Sequence, residues 1–178
     1  MVEISSGIKK FVANKKYFAT GDINNGRFLS SYELISYKNR PSRANMQPVN
    51  NSIWFAKMQF TKKTVYFYNN IDNKTQDRIL STGFMGVQCD QKYLYYLLAF
   101  ILSDDYEAQK DKFATGTTQI AINSSVIDKI MIPFEEIVAV KLSYKFEKIF
   151  NKIQVNNNEL EKLEILKNIL ITKLATQQ

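Results

Sequence analysis

From Glu135 to the C-terminus the chain contains neither glycine nor proline, so nothing in its last forty or so residues interrupts a helix. Apolar residues recur there at Leu142, Phe146, Ile149 and Ile153, then at Leu160, Leu163, Leu166, Leu170 and Leu174. The early steps are four, three and four residues, and the 4–3 rhythm holds through position 156 before shifting near Leu166. That spacing is a heptad seam. Asn156 falls on the seam, where a buried asparagine costs stability but fixes register and partner number. A helix over residues 137–175 predicts a rod about 58 Å long. A body of about 130 residues is only roughly 30 Å across. Half of the rod is therefore expected to project and to need another surface. The alternative is an amphipathic helix folded back on its own core.

The preceding 134 residues read as short strands and turns with one helix. "YFATGDINNGRFLSSYELI" (17–35) carries turn signals at Gly21-Asp22 and Asn24-Asn25-Gly26. "SIWFAKMQF" (52–60) alternates Ile53 and Phe55 with polar or small neighbours and predicts a strand. "KKTVYFYNNI" (62–71) is β-branched and aromatic up to Asn69-Asn70. In 90–114, Leu94, Leu97, Leu98, Ile101 and Leu102 fall at helical spacing and predict a buried helix. "TQIAINSSVIDKIMIP" (118–133) predicts a return to strand. The fold class is α/β (α+β): a mixed-strand domain over 1–134 and a long helix over 135–178.

The residue inventory excludes much chemistry. There is no histidine, which removes the commonest general base and every Ser-His or Cys-His arrangement. One cysteine, Cys89, allows neither an internal disulfide nor a thiolate zinc cluster. The six glycines are scattered and form no phosphate loop. Three prolines leave no room for the Asn/Asp-Pro-Pro-aromatic motif of amino-methyltransferases. Asp77, followed by Asp90-Gln91-Lys92, is a loose nuclease-like pattern that could hold Mg²⁺. Its plainer reading is that Asp90 and Lys92 cap and solvate the helix at 93–102. No 18-residue apolar run and no long apolar N-terminal stretch are present, so a cytoplasmic protein without a membrane span is expected.

The net charge of +7 is unevenly spread. Residues 1–63 hold eleven Lys/Arg against three acids, residues 64–136 six against ten, and residues 137–178 seven against four. A basic front segment points to a polyanion partner, nucleic acid first, against the plainer case of a basic domain with none.

Several short stretches occur in a telling order: "YFATGDINNGRF" (17–28), "PSRANMQPVNNSIWFAKM" (41–58), "ILSTGFMGVQCDQKYLYYLL" (79–98), "GTTQIAINSSVIDKIMIP" (116–133) and the closing helix. The ordered set resembles the specificity (S) subunit of type I restriction–modification enzymes. In that family a target recognition domain reads a few base pairs and a helix follows it. Full-length members carry two of each, with the helices packed antiparallel as a spacer, and hold two methyltransferase subunits. This chain resembles one half. It has Pro133-Phe134-Glu135-Glu136 where the family's strand is usually followed by two prolines, and it lacks the Glu-Gln pair at the helix start.

The resemblance implies a non-catalytic, sequence-specific DNA-binding subunit with no metal and no cofactor of its own. Its partners are double-stranded DNA and the methyltransferase (M) and restriction (R) subunits, which supply the S-adenosylmethionine chemistry and the ATP-driven step. A homodimer through Leu142, Phe146, Ile149, Ile153, Asn156, Leu160, Leu163, Leu166, Leu170 and Leu174 would place one reading head at each end of a split, inverted site. The alternatives are an orphan half that pairs with another S subunit, and a Mg²⁺-dependent nuclease.

Base-reading candidates cluster in "YKNRPSRANMQ" (37–47). Lys38, Arg40 and Arg43 cluster around Pro41 and Ser42; the arginines can grip guanine, and Asn39, Asn45 and Gln47 can grip adenine. The plainer reading is a solvated basic loop. Lys57, Lys62 and Lys63 are expected on phosphates. Gly116, Thr117, Thr118 and Gln119 form a polar turn able to offer N–H and hydroxyl groups to a phosphate, or a plain helix-to-strand connection. Trp54, Phe55, Phe60, Tyr66 and Phe67 are expected in the core.

Overall fold

The computed structural model describes residues 1–24, 26–68 and 74–176. Asn25, within the expected turn at 24–26, and Asn69-Asn70, at the expected strand end, lie outside the described residues.

Among the described residues ten short strands make two four-stranded sheets and a small ribbon. The first sheet has the order β1 (Val2–Ile4), β10 (Phe84–Gln88), β7 (Ser52–Ala56), β8 (Thr64–Phe67), all antiparallel. The second has the order β5 (Glu33–Ile35), β2 (Lys15–Phe18), β9 (Arg78–Ser81), β6 (Ala44–Met46), with β2 and β9 parallel. β3 (Ile23–Asn24) pairs with β4 (Arg27–Phe28). A short helix α1 (Lys74–Asp77) leads into β9.

β7 forms as expected but is buried along its whole length. Its two faces feed two cores. Ile53 and Phe55 join Met85, Val87, Leu94, Leu98 and Tyr106 on the helical side. Trp54 joins Phe18, Val65, Leu80 and Phe84 between the sheets. The strand is therefore central, and the polar-or-small reading of its alternate positions fails at Trp54. Gly86 lies opposite Trp54 in the ladder, and a Cβ there would come within 2.5 Å of the indole. Only glycine lets the two strands pair around that ring. Phe55, Tyr66 and Phe67 pack in or against these cores, but Phe60 does not: it is 81% exposed with a φ of 56°.

The helical stretch at 90–114 is two helices, α2 (Leu94–Ile101) and α3 (Asp104–Phe113). Leu102 is exposed, and Ser103 breaks the run by accepting the Tyr106 N–H on its hydroxyl at 3.2 Å. Three acids in the first turn of α3 suit a helix N-terminus. The strand expected over 118–133 does not form. Thr115 and Ala121 exchange two backbone hydrogen bonds of 3.0 Å, closing a turn around Gly116. Asn123 then caps a short helix α4 (Ser124–Ile127), its side chain accepting from Ser125 N at 3.0 Å. The Asn-Ser-Ser run satisfies a helix start locally, and that outcompetes the period-two pattern.

The closing helix α5 spans Glu136–Ala175 without interruption. It does not project as expected. Ala139 and Ser143 are buried, Phe146 and Phe150 pack against the α2 core, and Asn168 Nδ2 still donates to Ser30 Oγ at 3.3 Å. From Glu136 to Asn168 is about 48 Å of helix lying along the body.

Candidate nucleic-acid interface

One edge of the molecule gathers residues from four distant segments. Lys57, just past β7, is pinned on both sides of its backbone: its N–H donates to Gly83 O at 3.0 Å and its carbonyl accepts from Ile122 N at 3.0 Å. Gln59 N donates to Ile120 O at 2.9 Å, which holds the Gly116–Gln119 turn beside the 57–59 segment. Arg43 O accepts from Thr82 N at 2.9 Å, and the Arg43 guanidinium reaches over Gly83. Arg43, Lys57 and the Gly116, Thr117, Thr118, Gln119 turn, predicted separately, thus share one edge. Gly116 has a φ of 133° and a Cβ there would meet Gln119 O at 2.3 Å, so the turn needs glycine.

Beside Lys57 opens a cleft of about 360 Å³, lined among others by Glu3, Ser5, Ser6, Lys57, Thr82 and Ser124. Burial lowers the Lys57 pKa below the ordinary lysine value; the Glu3 charge opposes that shift and the Arg43 charge adds to it. Glu3 and Ser124 were not legible as site residues, because they lie far apart in sequence and meet only through the fold: Ser124 Oγ donates to Glu3 Oε1 at 2.7 Å.

The other candidates are placed differently. Lys38, Asn39 and Ser42 are exposed on the loop after β5. Arg40 folds back, donating to Tyr37 O at 2.5 Å with its guanidinium 4.3 Å from the Tyr37 ring centre. Asn45 lies on β6, where its carbonyl accepts from Gly7 N at 2.8 Å. Gln47 is built into the scaffold: its amide donates to Thr75 O at 2.5 Å and Arg78 O at 3.3 Å, and its oxygen accepts from Lys15 at 3.1 Å. Lys62 pairs with Asp104 at 2.7 Å in full solvent, and Lys63 is half-buried nearby.

The nuclease-like residues are each engaged elsewhere. Asp77 lies 3.6 Å from Lys16 and 3.7 Å from Arg78. Asp90 accepts from Lys92 N at 3.1 Å, capping the single turn Gln91–Tyr93 ahead of α2 as the plainer reading expects. The Lys92 ammonium pairs with Glu136 at 3.0 Å. Among the described residues no cluster of three metal-binding side chains occurs, and no helix is long and apolar enough to cross a membrane.

On α5 the seam divides. Leu142 is half-buried and Phe146 packs on the core, 6.3 Å from Phe150. Ile149, Ile153, Asn156, Leu160, Leu163, Leu166, Leu170 and Leu174 face solvent. Leu163 is 59% exposed. The body side of the same stretch is polar. Glu161 meets Arg78 at 2.7 Å and Lys74 at 3.4 Å, Glu164 meets Arg27 at 3.0 Å, and Asn158 accepts from Lys74.

No protein-family model matches the sequence, and no curated protein matches it either. Solved structures do. One chain of a type I R-M system, from a study of its complex assembly and conformational transition, aligns over 92% of this chain and 43% of its own length, with a TM-score of 0.61 and 20% identity. The HsdS subunit from Thermoanaerobacter tengcongensis aligns over 93% of this chain and 45% of its own, with a TM-score of 0.59 and 18% identity. The mixed sheets and the long closing helix are thus the fold of these structures, and the chain spans less than half the length of each.

Proposed function

We propose that this chain, folded like one half of an HsdS subunit, is a non-catalytic DNA-sequence recognition subunit that works as a pair. Residues 1–134 are the reading domain and 135–178 the dimerisation and spacer helix. The carrying observation is the outward seam of α5: Ile149, Ile153, Leu160, Leu163, Leu166, Leu170 and Leu174 form an apolar line in solvent while polar residues face the body. A sustained apolar stripe of this kind is stable only against another apolar surface. A second copy presents the same apolar line and so offers such a surface. Two-fold pairing runs the helices antiparallel and sets one head at each end. The DNA site is then an inverted repeat whose half-sites lie roughly one to one and a half helical turns apart. Arg43, Lys57 and the Gly116–Gln119 turn face the DNA. Methylation and cleavage belong to separate M and R subunits.

The test is the solution mass of the full chain together with selection from a randomised duplex library. Twice the chain mass and a gapped inverted repeat are expected. L160K/L163K should return the mass to that of one chain and reduce the selected sequence to one half-site. A wild-type chain that stays single at high concentration defeats the paired reading.

A further inference from the structure

The cleft beside Lys57 holds a positioned acceptor and an unengaged donor. Glu3 enters from β1, and Ser124 at the start of α4 clamps its Oε1 at 2.7 Å, leaving Oε2 to accept from elsewhere. Lys57 enters from just past β7, two strands from β1 across β10 in the same sheet, with its backbone fixed by Gly83 and Ile122. It is half-buried, yet among the described residues no hydrogen bond or ion pair engages its ammonium. Lys16, Lys62 and Lys92 each close an ion pair with a nearby carboxylate, at 3.6, 2.7 and 3.0 Å. The Glu3 charge acts on Lys57, and among the described residues no ion pair closes between them. A partly desolvated ammonium lacking a partner carries a cost that an outside acceptor relieves.

An occupant that offers acceptors to Lys57 and a donor to Glu3 engages both charged groups of the cleft. The major-groove edge of a G·C pair does so: guanine presents O6 and N7, and cytosine presents its N4 amino group next to them. Lysine on guanine and glutamate on cytosine are matched pairings for that edge. The neighbouring Arg43 adds positive charge, which suits the doubly accepting guanine side and a duplex phosphate beyond it.

We infer that Glu3 and Lys57 form a base-reading pair that selects one G·C pair in each half-site, Lys57 donating to guanine and Glu3 accepting from cytosine. This assignment rests on the DNA-recognition reading above. It moves Lys57 from a phosphate contact to a specificity contact and adds Glu3, which carries the wrong charge for a phosphate contact.

The experiment uses the full-length chain. A randomised-library selection first defines the wild-type site. Competition binding then compares wild type, Glu3→Gln, Lys57→Met and Ser124→Ala on the best duplex and on duplexes changed at each position. At one position per half-site the wild type should demand G·C. Glu3→Gln and Lys57→Met should each lose on the order of tenfold or more of that discrimination, keeping discrimination at the other positions. Ser124→Ala, which only loosens Glu3, should lose part of it at the same position without a change in melting temperature, and it carries the test if a direct variant fails to fold. Unchanged selectivity at every position overturns the inference, and so does a uniform loss across all sequences or a wild-type demand for A·T at the affected position. A wild-type chain with no sequence preference removes the DNA-recognition reading as well, whereas a selective wild type with unaffected variants removes the pair alone.

Discussion

The two halves of α5 meet the body with opposite chemistry. The first half docks through rings: Phe150 stacks on Tyr95 with centroids 5.9 Å apart and planes 7° from parallel, and Tyr66 donates to the Phe150 carbonyl at 2.6 Å. The second half docks through charge: Glu161 and Glu164 reach Arg78 and Arg27. The difference has a purpose in free energy. A helix that used its leucines to hold the body would have none left for a partner. By docking its second half through carboxylates, the chain keeps its leucine line free while still fixing the direction in which that line points.

The charged dock is not a surface ion pair of small worth. Arg78 is 2% exposed, and its guanidinium lies 3.9 Å from the Phe28 ring centre and 5.2 Å from that of Phe18. Glu161 at 2.7 Å is the nearer of the two carboxylates beside this buried guanidinium, with Asp77 at 3.7 Å, so losing Glu161 removes the closer countercharge. Arginine is also suited to the place, since its flat guanidinium can lie on aromatic faces while its edge meets a carboxylate.

Substitutions at three positions test the contrast, the largest effect first. Glu161→Ala should cost about 3 kcal/mol in chemical denaturation, and Glu161→Gln distinctly less; a change within a few tenths for Glu161→Ala would show that the second half of α5 is merely resting on the body. Phe150→Ala should cost about 2 kcal/mol, below the value for a fully buried ring because Phe150 is half-buried. Its loss should be insensitive to salt, which separates the ring dock from the charged one. Glu164→Ala, with Arg27 partly solvated, should cost well under 1 kcal/mol, and the difference should fade in high salt. A Glu164→Ala effect as large as that of Glu161→Ala would erase the distinction between a buried anchor and a peripheral one.

Much of the local structure was legible because local chemistry decides it. The closing helix is observed over Glu136–Ala175 where its lack of glycine and proline predicts it. The β7 strand and the apolar helix α2 also fall where period and residue type place them. The break at Leu102-Ser103 and the Asn123-capped α4 were missed, although Ser103 followed by Asp104-Asp105, and Asn123 followed by two serines, are helix-start chemistry. There a broad periodic pattern was read over a specific cap. Among the site candidates, Arg43, Lys57 and the 116–119 turn converge on one edge, while Gln47 goes into holding Thr75 and Arg78. An exposed amide and a scaffold amide look alike in a sequence, because their difference lies in which carbonyls the fold brings within reach.

What the chain determines by itself is the set of elements and the existence of a heptad line on the last of them, since caps, turns and periodicity act between residues a few positions apart. Which side of α5 turns inward was decided only by the tertiary structure. The helix could bury leucine or bury glutamate, and the presence of Arg27, Lys74 and Arg78 on elements more than eighty residues away makes the carboxylate side the one that docks. That choice leaves an apolar line in water, the surface that the proposed pairing would cover.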